Sequence, residues 1–379
     1  MQGEALNRRS FIQKTGGLAL LTAGSASYVN AQEEQAAKEQ TTAISEEKKG
    51  SQRQGSQRHS IERLKQWEAL FYGMFIHFGM STFVGDELPK GDESPNVYAP
   101  DRLDVDQWIS VARDSGMRYA VLTTKHVAGH CLWPSKCTNH TVAFSLNQTD
   151  VVEEFVKACE RRGVLPGFYY CSWDNHHKFG SQTPSDLNWT SAMNRFPRED
   201  EELAPFTTSL YQNFQTAQIT ELLTQYGSIA EIWIDIPGVL GRGYREYLYR
   251  HIAQLQPDAM IMMNSGIGSG EEYPVDYAWP SDLIAIERKL PPESGHQKWR
   301  TIEGKEYYMP GEICDPIGKE WFYVENDLPR SDEDLLNIYE IAKNRGVNLL
   351  LDVPPDRHGV MPRESVEALK RLRRNAKIG

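Results

Sequence analysis

The chain has 379 residues, with 41 lysines and arginines against 52 aspartates and glutamates, for a net charge of −11. With 40% hydrophobic and 25% charged residues it has the balance of a folded globular protein, which excludes wholesale disorder and a polytopic membrane protein. The acid excess argues against a nucleic-acid partner, which would call for a basic stripe, and five cysteines are too few for a disulfide scaffold.

Asn7-Arg8-Arg9-Ser10-Phe11-Ile12-Gln13-Lys14 is a twin-arginine motif. The apolar run Gly16 to Val29 is too short and too rich in small and polar residues to span a bilayer. Val29-Asn30-Ala31 then supplies a small-residue cleavage site. Residues 1–31 therefore read as a bacterial export signal, and the expected compartment is the periplasm or the exterior. Residues 32–60 are dominated by Gln, Glu, Lys and Ser, with Ile44 the one large aliphatic. Such a stretch buries too little apolar surface to offset its ordering entropy and reads as a disordered linker. The folded domain, 61–379, is expected to begin near Ile61.

From there strands and helices alternate. Apolar runs of strand length are Phe71 to Phe78, Arg118 to Thr124, Val164 to Cys171, Ile229 to Asp235 and Ala259 to Met263. Between them lie helical stretches: Val105 to Ser115 with Asp104 or Asp106 as cap, Thr149 to Arg162 ended by Gly163, Ser209 to Tyr226, and Tyr244 to Gln256. Leu283 to Ile286 and Trp321 to Val324 are weaker strand candidates. A helix from Ser331, a strand from Gly346 to Val353 and a helix from Pro362 to Asn375 complete the series. Near-continuous apolar strands alternating with helices predict a parallel sheet covered by helices. About eight strands predict a (β/α)8 TIM-like barrel in one domain. No phosphate-binding glycine pattern follows a strand; Gly266-Ile267-Gly268-Ser269-Gly270 has the wrong spacing and no lysine.

In such a barrel chemistry sits at the C-terminal ends of the strands. Those ends carry His77, Lys125 with His126, Tyr170 to Trp173, Asp235, Asn264 and Glu287. Long loops after the first strand (Gly85 to Pro100) and the third (Lys178 to Pro205) open on the same face. The pairs His126/His130 and His176/His177 are metal-ligand types, but neither sits in a His-Glu-x-x-His motif and strand-end loops do not give helical i, i+4 geometry, so no metal is expected. Cys131 and Cys137 are close enough in sequence to pair in an oxidising compartment or to remain two thiols.

Five ordered motifs resemble the family 29 α-L-fucosidases: Phe75-Ile76-His77-Phe78-Gly79; Ala120 to His126 followed by Cys131-Leu132-Trp133-Pro134; Gly167-Phe168-Tyr169-Tyr170; Glu231-Ile232-Trp233-Ile234-Asp235; and Asn348 to Pro355. The resemblance covers residues 62 to 376 and implies the catalytic barrel without the family's C-terminal β-sandwich. It implies a retaining hydrolase of terminal α-L-fucosyl residues on glycans, with two carboxylates and no cofactor. Asp235 matches the family's nucleophile. By likeness to the glutamate that ends a comparable strand in part of the family, Glu287 is the expected acid/base, and a glutamate flanked by apolar residues would have the raised pKa that suits a general acid. Glu271, Glu272 and Glu312 are its rivals. His77, Glu87, His126, His130, Tyr170 and Trp233 are the expected sugar contacts.

Two departures qualify the substrate. The family reads Lys-His-His-Asp-Gly-Phe where this chain has Lys125-His126-Val127-Ala128-Gly129-His130, and Ile236-Pro237-Gly238 replaces the usual Asp-Gly continuation. A hydrolase for another sugar, such as a galactoside, and a non-catalytic carbohydrate-binding relative are the alternatives. The oligomeric state is open.

Overall fold

Eight of the strands lie side by side in one sheet. A computed structural model describes residues 54–177, 207, 209–264 and 278–379. The export signal, residues 32–53 of the linker, Glu271, Glu272 and the glycine-rich loop lie outside the described residues. The strands are β1 (Tyr72–Ile76), β2 (Tyr119–Lys125), β3 (Leu165–Cys171), β4 (Glu231–Asp235), β5 (Met260–Met263), β6 (Ile284–Glu287), β7 (Trp299–Ile302), β8 (Lys305–Tyr308), β9 (Gly311–Pro316) and β10 (Asn348–Asp352). The sheet runs β5-β4-β3-β2-β1-β10-β9-β6, and every neighbouring pair is parallel. This is a nearly closed TIM-like barrel. Its helices are α1 (Ile61–Glu68), α2 (Met80–Val84), α3 (Val105–Asp114), α4 (Val151–Arg162), α5 (Ser209–Gln225), α6 (Arg242–Leu255), α7 (Asp332–Arg345) and α8 (Arg363–Asn375). Asp104 and Asp150 cap α3 and α4, accepting from Gln107 N and Glu153 N at 2.9 Å each. Among the described residues no helix is long and apolar enough to cross a membrane.

Strand alternation sorts the side chains. Outward residues such as Met74, Ile76, Ala120, Leu122, Phe168 and Ile232 form one apolar layer with the helices. Inward residues such as Phe75, Val121, Tyr169, Trp233, Met262 and Leu350 fill the barrel. The same period carries the inward row past the apolar filling to polar residues at the strand ends.

Two elements differ from the sequence reading. Trp321 to Val324 is not a strand; Trp321 and Phe322 are buried because they fold over the barrel mouth, their rings 5.0 and 5.1 Å from that of His77. The strand beside β10 is instead β9, whose sequence Gly-Glu-Ile-Cys-Asp-Pro lacks an apolar run because its inward positions hold Glu312 and Cys314. In addition, the antiparallel hairpin β7–β8 lies between β6 and β9, where the alternation would place a helix.

The barrel's seam lies between β5 and β6. Asp282 spans it twice: its N–H donates to Ile261 O at 2.8 Å, and its Oδ2 accepts from Ile261 N at 2.9 Å. Residues 55–60, read above as the end of a linker, strap this seam. Gly55 N donates to Glu306 O at 2.8 Å, and the Gln57 side chain exchanges two hydrogen bonds with the Tyr308 backbone. The Arg58 guanidinium binds the carbonyls of Pro257 and Ala259 and the Asp282 carboxylate, which also accepts from Tyr249 OH. One carboxylate thus satisfies a half-buried cation, a phenol and a strand N–H. Asp282→Ala should lower stability by about 3–5 kcal/mol, because it leaves Arg58 without its counter-charge. Urea unfolding checks this, and a loss below about 1 kcal/mol, the range of an exposed ion pair, would refute it.

Candidate active site

Asp235 ends β4 and accepts three hydrogen bonds: from Tyr169 OH at 2.6 Å, Asn264 Nδ2 at 2.8 Å and its neighbour's backbone, Ile236 N, at 2.9 Å. Three donors suit an acceptor-only carboxylate anion. Glu287 ends β6, 9% exposed. Asn264 Nδ2 reaches its Oε2 as well, at 3.1 Å. Because one NH2 group serves both, the nearest oxygens of the two carboxyls lie within about 6 Å, and about 5 Å if the two N–H bonds diverge at the amide's roughly 120°. That is the spacing of a double-displacement pair rather than the about 6.5–9.5 Å of an inverting one. Burial, then the Asp235 charge, pushes the Glu287 carboxyl up to about 7, against the opposing effects of Asn264 and Arg288. A group with that pKa holds or gives up its proton near neutrality.

Both carboxylates are followed by a non-glycine residue in the left-handed region, Ile236 at φ 50° and Arg288 at φ 53°. For β-branched Ile236 this is a strained conformation. It turns the N–H of Ile236 back onto Asp235 Oδ1. Arg288 lays its guanidinium 4.7 Å from the Trp321 ring and donates to Lys319 O at 2.8 Å.

Imidazoles make the opposite wall. His77 follows β1; its Nδ1 lies 2.8 Å from Asp352 Oδ1, which also accepts the His77 backbone N–H at 3.2 Å. Burial pushes His77 down to about 3, so the ring is neutral at physiological pH. The His126 ring lies 5.8 Å from that of His77 and stacks on Tyr169 at 5.6 Å, and burial, then His77, drives its pKa well down. Glu87, on the loop after β1, borders an open hollow of about 330 Å³ with Glu320, Trp321 and Phe322. Burial raises its pKa, Arg288 opposes this, and Asp235 is among the charges acting on it.

The structure thus brings Asp235, Glu287, His77, His126 and Glu87 to one face. Trp233 points into the barrel but lies a layer lower, 2% exposed, with its Nε1 donating to Glu312 Oε1 at 3.2 Å. Tyr170 and His130 are placed elsewhere. Tyr170 faces outward, one residue out of phase with the inward row, and donates to Gln218 Oε1 of α5 at 2.7 Å. Tyr169 holds the inward place. Lys125 is on that outer side too, fully buried, with its Nζ 2.6 Å from Asp174 and 3.0 Å from Tyr170 OH. His130 bonds Ser145 Oγ at 2.9 Å and packs against Tyr98 and His140. His140 in turn stacks on His176 at 4.0 Å, and His176 meets His177 at 4.6 Å. Among the described residues no three His, Cys, Asp or Glu are grouped to hold a metal ion. Cys131 and Cys137 are both free thiols.

The residues that sequence reasoning missed are Tyr169, Asp352, Arg288 and the Trp321-Phe322 lid of the mouth. Counting alternate positions back from Cys171, which pairs with Asp235 across the ladder, would have selected Tyr169. For Trp321 and Phe322 the apolar signal was present but pointed to a strand.

The buried imidazoles carry a pH consequence. Burial lowers the pKa of His130 well below 6.5 and those of His77 and His140 to about 3. Above about pH 6.5 folded and unfolded chains both hold these rings neutral. Below it the unfolded chain takes up protons that the folded chain refuses, so stability is lost as pH falls from 6.5 toward 3. Each ring should withdraw about 1.4 kcal/mol per pH unit. Urea midpoints should therefore drop steeply between about pH 6.5 and 5, and His140→Gln should flatten the slope; a wild-type profile flat across that window would contradict the account.

Comparison with known proteins places the chain among relatives of one kind. The α-L-fucosidase family model matches residues 92–375. α-L-Fucosidase 1 of Arabidopsis thaliana is 30% identical over 333 residues, 80% of this chain and 58% of that protein. The α-L-fucosidase of Dictyostelium discoideum is 22% identical over 280 residues, 70% of this chain and 52% of that protein. The chain therefore spans a little over half the length of these curated relatives. Among solved structures, α-L-fucosidase isoenzyme 1 from Paenibacillus thiaminolyticus superposes with a TM-score of 0.66 at 25% identity, covering 83% of this chain and 75% of that one. With a family match over most of the barrel and the family's fold beneath it, the chain belongs to the α-L-fucosidase family.

Proposed function

We propose that the chain is a retaining α-L-fucosidase that removes terminal α-L-fucosyl residues from glycans, exported by the twin-arginine route to the periplasm or beyond. The observation that carries this reading is the pair of carboxyls sharing the Asn264 amide. Asp235 attacks the anomeric carbon while Glu287 gives its proton to the leaving oxygen. Glu287 then takes a proton from water, which attacks the same carbon, releases the sugar with retention and frees Asp235. Neutral His77 and His126, with Glu87, serve the sugar's hydroxyls as hydrogen-bond partners.

Hydrolysis of an aryl α-L-fucoside by the chain from Gln32 onward tests the proposal, with the anomer of the first-formed sugar read by proton NMR. Turnover with retention supports it. Inverted product would overturn the double displacement, and no turnover would overturn the fucoside assignment. A second reading, a hydrolase for another sugar such as a galactoside, has one observation in its favour. Val127, at the family's second histidine position, is fully buried and offers no hydrogen bond from its side chain. A panel of aryl glycosides separates the two.

A further inference from the structure

Two carboxyl groups lie inside the barrel below Asp235, where hydrolysis has no direct use for them. Glu231 of β4 is wholly buried and Glu312 of β9 is 1% exposed. By strand alternation Glu231, Trp233 and Asp235 form one inward row along β4. Glu312 is well served: its Oε2 accepts from Tyr119 OH at 2.6 Å and its Oε1 from Trp233 Nε1 at 3.2 Å. Gly73 makes room for this, since a Cβ there would come within 2.6 Å of the Tyr119 ring. The two Glu231 oxygens, by contrast, have no donor, and the group they meet is the Glu312 carboxyl.

Two buried carboxylates in contact would repel, and each would have lost its water. A single proton between them turns repulsion into a hydrogen bond. Burial, then the Glu312 charge, drives the Glu231 pKa well up, so Glu231 holds that proton and donates to Glu312. Glu312 then accepts from three donors. The consequence climbs the barrel. The Trp233 indole, held at its N–H, stacks under Tyr169 with centroids 5.8 Å apart and planes 19° apart. Tyr169 in turn donates to Asp235 Oδ2.

The geometry points to a positioning element: Glu231 and Glu312 hold one proton between them and, through Trp233 and Tyr169, fix the hydrogen bond that aims the Asp235 carboxylate. The positioning role rests on the reading of Asp235 as nucleophile; the shared proton does not.

The test is a double-mutant cycle on the pH profile of kcat/KM for an aryl fucoside. Tyr169→Phe removes the donor to Asp235, and a carboxylate that loses a donor is protonated more easily. The acid limb should move up by about half a pH unit to one unit. Glu312→Gln offers one acceptor oxygen where three donors converge, and should move the same limb in the same direction. The double variant should shift no further than Tyr169→Phe alone, because both act through one bond. Glu231→Gln, whose amide N–H replaces the shared proton, should restore the wild-type limb that Glu231→Leu displaces. If Glu312→Gln lowers only the thermal midpoint, or the two shifts add, the positioning role is wrong. Independently of activity, the infrared difference between wild type and Glu231→Gln should show the carbonyl stretch of one protonated carboxyl at neutral pH. Its absence overturns the shared proton. If the wild type turns over no aryl glycoside, the fucosidase reading fails, and the infrared band alone decides whether the pair exists.

Discussion

Asp235→Ala should lower kcat/KM for an aryl α-L-fucoside by about 10⁴-fold or more, equivalent to at least about 5.5 kcal/mol of transition-state stabilisation. The magnitude follows from what the carboxylate would do. As nucleophile it forms the covalent bond of the first step, and its hydrogen-bond partners among the described residues are donors, none of which can take that place. Tyr169, Asn264 and the Ile236 N–H are donors arranged around its two oxygens. With alanine those donors face a small void that admits water or an added anion. Azide should therefore restore part of the activity and give a fucosyl azide of inverted configuration, since the anion would attack from the side Asp235 vacates. Thermal melting should change little, because Asp235 is a strand-end residue with partial exposure and takes no part in the barrel's apolar filling. Activity within tenfold of wild type would remove Asp235 from the nucleophile's role.

The barrel was legible in the sequence because its strands are apolar on both faces, so each stood out as a continuous run between helix caps such as Asp150 and stops such as Gly163. The exception shows why. Strand β9 sits beside β10 in the sheet, yet its inward Glu312 and its Gly and Pro ends hide it from any hydrophobicity argument. Trp321 and Phe322 made the reverse error: they are apolar because they cover a polar mouth, not because they join a ladder. The carboxylates Asp235 and Glu287 were legible for a physical reason too, as charges ending runs of Ile, Trp and Ala where burial is expensive. What the one-dimensional reading lacked was phase. Tyr169 and Tyr170 are chemically identical neighbours, and only the ladder register, Tyr169 opposite Trp233, decides which enters the barrel. Lys125 shares the parity of inward Val121, but the ladder shifts register after Thr123 and sets it beside outward Tyr170, and His130 lies in the loop beyond β2 on the same outer wall.

Glu287→Gln should lower kcat/KM for an alkyl fucoside by about 10²–10⁴-fold and abolish the alkaline limb of its pH profile. In the free protein the Glu287 carboxyl lies at about 7, through burial and then the Asp235 charge, so wild-type activity should decline as pH rises through that value. Glutamine neither holds nor loses the proton, so the decline should vanish while the overall rate stays low. An aryl leaving group that departs without protonation should be much less affected. The cause of the shift also predicts the second half of the cycle. Once Asp235 is esterified its negative charge is gone, and with it the larger of the two charges, Asp235 and Glu87, that add to burial in raising Glu287. The carboxyl should then ionise more easily and be ready to take a proton from water. Asp235→Asn imitates that neutral state without the sugar. Carbon-13 titration of Glu287 in this variant should find its midpoint below the wild-type value of about 7. An unchanged midpoint would mean that the Asp235 charge does not set the acid, and the switch from acid to base would then need a different cause.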